Sequence, residues 1–147
     1  MALIAEATVQ VDVQQARRWF LELESHPERY QFDSHNGFTF TEGDFGEPGA
    51  RFQTRETFAG VPVSLRFELI QVDGTGFRFR LCHLPLAILG SFSLQPLSEH
   101  STALTLEIES DGPLAAFFLR LPFVRGAIRR QIEAEVEHIG SSMEAVY

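Results

Sequence analysis

Four ionisable residues interrupt otherwise apolar series in this sequence. They are where chemistry would show, because a buried charge is costly unless it is paired or used. Glu56 lies between Phe52, Thr54 and Phe58 at alternate positions, and His83 ends the series Phe77, Phe79, Leu81. Arg125 and Glu135 lie within or at the edge of an apolar stripe near the C-terminus. A carboxyl raised in pKa by burial, or an imidazole poised near neutrality, can act as general acid or base or can orient a ligand. Glu56 and His83 are therefore the candidate catalytic residues. Each of the four also has a plain structural reading. Glu56 sits at a bulge or pairs with an Arg, and His83 caps a strand end before a Leu-Pro turn. Arg125 snorkels or pairs locally, and Glu135 stands at the boundary with water. The residues alone leave these alternatives open.

Other chemistries are harder to place. Glu135-x-x-His138 has the spacing used in di-iron bundles, but that site needs two such motifs, and one is present. The remaining histidines, His26, His35, His83 and His100, share no short ligand spacing, so no metal site is expected. Gly43-x-x-Gly46-x-x-Gly49 and Gly74-x-Gly76 do not open a helix after a strand and read as turns. No serine lies in a nucleophile elbow. Cys82, the single cysteine, excludes an intramolecular disulfide and reads as a surface thiol. All 12 basic residues are Arg. Without a lysine there is no Schiff-base chemistry, no pyridoxal-phosphate enzyme and no phosphate-binding loop of the Lys type. No cofactor is expected.

The elements that must position the candidates follow from periodicity. Ala2 to Asp12 alternates, with Leu3, Ala5, Ala7, Val9 and Val11 on one face, as a half-buried strand does. Asp12 then caps a helix through about Leu23 whose Ala16, Trp19, Phe20 and Leu23 share one side. His26-Pro27-Glu28-Arg29-Tyr30 is a break and a second short helical turn. After the turn cluster Asp33 to Gly37, five or six strands follow. They are separated by Gly43 to Gly49, Gly60, Asp73 to Gly76, Leu84 to Leu89 and Leu97 to His100, the pattern of an antiparallel meander. A long amphipathic helix from Pro113 to about Glu144 closes the chain. Its start is capped by Ser110 and Asp111, and Pro122 kinks it or ends a first short segment. Leu114, Phe117, Phe118, Leu121, Val124, Ile128, Ile132, Val136, Ile139 and Met143 recur along one stripe.

The strand registers place Arg51, Arg55, Arg66, Arg78 and Arg80 on one face of the sheet and an unusually aromatic set on the other. One sheet against one helix, with bulky side chains between, can leave a lined cavity instead of a solid core. Its expected wall comprises Phe38, Phe40, Phe52, Thr54, Glu56, Phe67, Phe79, His83 and Leu106 from the strands. The helix adds Val124, Arg125, Ile128, Ile132 and Glu135. The apolar stretch Leu84 to Gly90 is a buried strand continuation, a lip over the cavity mouth, or a contact for another subunit in a homodimer.

At 147 residues with no linker, repeat or low-complexity tract, one domain over 1–147 is expected. The excess of 20 acidic over 12 basic residues gives a net charge of -8, which argues against nucleic acid and anionic lipid surfaces. No signal peptide or membrane span is expected, and the lone cysteine suits a reducing cytoplasm.

Together, several segments resemble the START-like, birch-pollen-allergen-like superfamily known as SRPBCC, and within it the polyketide cyclase/dehydrase-like branch. These are the opening strand running into Val13-Gln14-Gln15-Ala16-Arg17-Arg18-Trp19-Phe20, the His26-Pro27-Glu28-Arg29-Tyr30 segment, the meander and the closing helix. The resemblance implies an α+β helix-grip fold: a curved antiparallel sheet of six to seven strands wrapped around a long C-terminal helix, with one or two short helices after the first strand. It also implies an apolar pocket for lipids, isoprenoids or polyketide-like molecules. A minority of such proteins catalyse cyclisation, dehydration or hydrolysis, without a shared catalytic signature. Three functions stay in play: binding of a small hydrophobic molecule, a cyclase or dehydratase using a buried Glu or His, and an accessory protein acting through protein contacts.

Overall fold

Aromatic side chains spaced two apart on successive strands decide the architecture, because they can be buried only if every strand turns the same face inward. In the computed structural model, which describes residues 2–32, 35–58, 60–82, 87–110 and 112–147 (the side chains of His35, Asn36 and Phe58 excepted), seven strands do so. They are β1 (Ala2–Val9), β2 (His35–Glu42), β3 (Arg51–Phe58), β4 (Val61–Asp73), β5 (Gly76–Leu81), β6 (Ile88–Ser98) and β7 (Ser101–Ser110). All pair antiparallel in one sheet of order β1-β7-β6-β5-β4-β3-β2. Register shifts at Phe40/Glu42, Leu69/Gln71 and Pro96/Ser98 add local twist and help the sheet curve.

Strands β1 and β2 form opposite edges, so the chain between them must cross the sheet. It does so through α1 (Val13–Leu21) and a 3-10 turn, Pro27–Tyr30. Asp12 caps α1 as its residue type requires. Its Oδ1 accepts from the Gln15 amide at 2.8 Å, while Gln15 Oε1 accepts from the Asp12 amide at 3.1 Å. That helix buries Ala16, Trp19 and Phe20, and the Trp19 indole donates to Ser142 Oγ at 2.9 Å.

The C-terminal helical region is two helices, α2 (Pro113–Arg120) and α3 (Pro122–Val146), separated by Leu121 in extended conformation (φ -66°, ψ 122°). A residue before proline avoids helical angles, so Pro122 ends the first segment. The break rotates α2 out of phase with α3. Ala115 and Leu119 are the buried residues of α2, while Leu114, Phe117 and Phe118, expected on the inward stripe, are exposed. The N-cap of α2 is Gly112, without a side-chain cap; the expected cap Asp111 lies outside the described residues, and Ser110 ends β7. α3 packs on β1, β7 and β3 and buries Ile132, Val136, Ile139 and Met143 along the stripe read from the sequence.

On the outer face, Glu68 is paired with both Arg51 (3.4 Å) and Arg80 (3.1 Å), and Arg78 with Glu109 (2.7 Å). The turn expected over Leu84 to Leu89 is shorter on one side. β6 already begins at Ile88, opposite Ser110, while 83–86 lie outside the described residues. No helix among the described residues is long and apolar enough to cross a membrane.

Candidate functional site

A cavity of about 420 Å³ lies between the inner face of the sheet and α3. It exists because two rows of bulky side chains meet without interdigitating fully. The sheet contributes Phe38 from β2; Phe52, Thr54 and Glu56 from β3; Leu65 and Phe67 from β4; Phe79 and Leu81 from β5; Phe92 from β6; and Leu106 and Ile108 from β7. From α3 come Val124, Ala127, Ile128, Gln131, Ile132 and Glu135, residues recurring at three- and four-residue spacing along one side of the helix. The cavity reaches solvent beside Val61 and Phe123, lining residues that are 59% and 74% exposed.

Gly90 is what allows Phe79 into this wall. A Cβ at position 90 would stand 2.3 Å from the Phe79 ring, so any side chain there collides with it. The rings then support one another. Phe52 stacks on Phe67 at 5.2 Å and on Phe38 at 5.3 Å, and Phe79 meets Phe92 at 5.5 Å.

The polar groups of the wall gather at one place, supplied by three elements. Thr54 Oγ1 donates to Glu56 Oε2 at 2.6 Å, and Gln131 Nε2 donates to Glu56 Oε1 at 3.2 Å. The Tyr30 hydroxyl, from the 3-10 turn, donates to Glu135 Oε2 at 3.1 Å. The two carboxyls act directly on each other, the charge of Glu56 favouring a proton on Glu135. A proton held by the pair relieves the repulsion of two carboxylates. Both Glu56 and Glu135 are buried, at 5% and 8% exposure. Burial pushes Glu135 well above the usual carboxylate range, and the neighbouring charge of Glu56 pushes it further. Burial raises Glu56 as well, but bonds from Thr54, Glu135 and Gln131 oppose the rise. Glu56 is therefore the member that ionises first, and Glu135 keeps the proton. Burial, then the charges of Glu135 and Glu56, also push the Tyr30 hydroxyl well above its usual value, so it remains a donor.

Of the residues expected in the wall, Phe38, Phe52, Thr54, Glu56, Phe67, Phe79, Leu106, Val124, Ile128, Ile132 and Glu135 line the cavity. Phe40 does not. Near the irregular end of edge strand β2, it packs against Phe45 at 5.3 Å and Phe52 at 5.8 Å, outside the lining. Arg125 also falls outside it, because it lies one residue past Val124 and so off the spacing that carries Ala127, Gln131 and Glu135 inward. His83 lies outside the described residues.

Eleven of the described lining residues were not in the expected wall, and three of them are instructive. Gln131 stands one helical turn before Glu135, and this spacing was the signal available. Tyr30 carried none beyond its place after the Pro27 break. Phe45 was hidden in a segment read as a turn, yet it is fully buried and meets Phe20 edge-on at 5.6 Å.

The remaining chemistry-bearing residues are engaged elsewhere. His138 Nε2 is 2.8 Å from the Arg29 carbonyl, and its ring stacks on Phe32 at 4.8 Å, so the Glu135-x-x-His138 pair does not converge. No group of three metal-ligating side chains is found among the described residues. Cys82 is exposed, and partial burial followed by the charge of Glu68 raises its thiol above the usual value, the opposite of an activated nucleophile.

No family profile and no curated protein matches this sequence. Solved structures do. TTHA0849 from Thermus thermophilus aligns over 99% of this chain and 99% of its own, with a TM-score of 0.75 at 17% identity. The ZhuI aromatase/cyclase from Streptomyces sp. R1128 aligns over 98% of this chain and 93% of its own (TM-score 0.71, 11% identity). Norcoclaurine synthase from Thalictrum flavum, solved in complex with dopamine and hydroxybenzaldehyde, aligns over 99% and 85% (TM-score 0.68, 11% identity). The likeness spans the whole element order, from the edge strand β1 to the closing α3. This chain therefore shares the helix-grip fold of these structures.

Proposed function

We propose that this protein binds a small hydrophobic molecule, of acyl, isoprenoid or polyketide-like build, in the cavity between sheet and α3. The observation that carries the reading is the cavity itself: about 420 Å³, walled by aromatic and aliphatic side chains, reaching solvent at one end and holding its polar groups together at one place. That volume and that division of polar from apolar suit a small-molecule site. Wall atoms facing a void lose their dispersion partners, and an apolar occupant restores them. A two-ring aromatic burying about 200 Å² would gain roughly 5 kcal/mol before the cost of association. Two neighbours in fold point the same way, one named an aromatase/cyclase and the other solved with two small aromatic compounds.

The test is titration of the chain with the neutral fluorescent probe 2-(1-naphthyl)ethanol, alongside Ile128→Trp, which puts an indole into the space beside α3. Saturable binding that Ile128→Trp abolishes, with the variant's unfolding midpoint retained, is the expected outcome. Binding unchanged by Ile128→Trp would place the probe elsewhere and defeat the reading.

A second reading, a cyclase or dehydratase, is favoured by one specific observation. At one place in an apolar cavity Glu135 holds a proton while Glu56 is the readier base, the division of roles that acid-base catalysis needs. It predicts substrate turnover that Glu56→Gln removes while probe binding persists.

A further inference from the structure

We propose that the hydrophobic molecule this cavity takes bears a basic nitrogen at one end, held by Glu56 and Glu135. The inference rests on the reading of the cavity as a binding site and specifies which end group its wall accepts.

The described wall contains two carboxyl groups and no Arg, Lys or His. Nor do nearby arginines neutralise the carboxyls: Arg51 and Arg80 pair with Glu68, Arg78 pairs with Glu109, and Arg125 stands off the lining. A ligand ending in a carboxylate or phosphate would bring another anion against the pair, where little water screens it. A ligand without a polar end would leave the pair as it stands, two buried acids compensated by neutral donors from Thr54, Gln131 and Tyr30 but by no cation.

An ammonium group answers both deficits. It offers three donors and no acceptor, the complement of a site whose carboxylate oxygens are acceptors. Glu56 Oε1 and Oε2 each accept one bond, from Gln131 and Thr54, and each keeps further acceptor capacity. The Tyr30 ring, whose hydroxyl donates to Glu135, belongs to the same wall and is an aromatic group of the kind that attracts a cation. The proton count closes in either form. An amine entering as the free base takes the proton Glu135 carries, and one entering as the ammonium ion releases that proton to solvent. In both cases the bound state is one cation against two carboxylates. Thr54, Gln131 and Tyr30 keep the carboxyls in place throughout, so the site is built before the ligand arrives.

Three probes sharing one ring system separate this proposal from the broader reading: 2-(1-naphthyl)ethylamine, 2-(1-naphthyl)ethanol and 1-naphthylacetate, each titrated into the full chain at neutral pH. The amine is expected to bind at least about tenfold more tightly than the alcohol, with the acetate weakest. In Glu56→Gln and Glu135→Gln that advantage is expected to shrink toward unity, with unfolding midpoints close to that of the parent chain showing that the variants still fold. If the alcohol binds as well as the amine, or the advantage survives both variants, the amine inference is overturned and the cavity reading stands. If none of the three binds, both fall together.

Discussion

Glu56 and Glu135 are the same side chain in one cavity, yet different surroundings give them different roles. Glu56 receives bonds from Thr54 and Gln131, which stabilise its charge, whereas Glu135 accepts from Tyr30 and faces the charge of Glu56, which with burial favours its protonated form. This difference has a consequence for stability. Both groups titrate above their ordinary value of 4.5 in the folded chain. Below that value folded and unfolded chains alike hold the protons, and the pair exerts no pull on folding. As pH rises past it, the unfolded chain releases protons that the folded chain retains, so folding weakens until the folded groups also ionise. Urea unfolding of the ligand-free protein should therefore show stability falling as pH climbs above 4.5, by up to about 1.4 kcal/mol per pH unit for each proton retained. Glu135→Gln, which cannot titrate, should flatten that slope. An unaltered slope in the variant would mean that Glu135 is not the group holding the proton.

The break at Leu121 matters most among the elements. It separates α2 from α3, turns Ala115 and Leu119 toward the sheet, and leaves Phe117 60% exposed. Burial predicts opposite outcomes for two substitutions one turn apart or less. Leu119→Ala should cost about 2–5 kcal/mol by removing a fully buried side chain. Phe117→Ser should stay within about 0.5 kcal/mol, because most of that ring is already in water. Denaturant unfolding of the two variants measures this directly, and equal losses would mean that α2 presents a different face. Gly90 shows the same dependence of an element on one residue. It lets β6 lie beside β5 without displacing the Phe79 ring from the cavity wall.

At the scale of the whole molecule, the fold spends core volume on an opening. Trp19, Phe20, Phe45, Phe77 and Leu104 close the region under α1 fully, while Phe67, Val124 and Ile128 stay partly accessible around the cavity. A ligand that binds only the folded chain must then stabilise it by mass action. 2-(1-naphthyl)ethylamine at a hundredfold excess over its dissociation constant should add about 2.7 kcal/mol to the unfolding free energy. Thermal unfolding with and without the probe checks the figure. A midpoint that does not move at saturation would show that the probe binds unfolded chain equally well.

Local patterns in the sequence already determined much of this protein. Alternation two residues apart sets which face of each strand is apolar, Asp12 with Gln15 starts α1, Pro122 ends a helix, and the lack of lysine removes whole classes of chemistry. The stripe Val124, Ile128, Ile132 was legible for the same reason, since helical spacing is a property of neighbours. The tertiary structure alone decided which polar residues meet. Nothing local says that Glu56 on β3 faces Glu135 on α3, that Tyr30 reaches the second carboxyl, or that Phe45 leaves its turn to fill the core. Nor does a stripe reveal its own limits: Arg125 misses the wall by one residue's rotation, and Phe40 by its place on an edge strand. Periodicity states which faces are apolar, but the distance between two faces depends on how the sheet curves and where α3 crosses it. That distance makes a cavity where a solid core was equally compatible with the pattern.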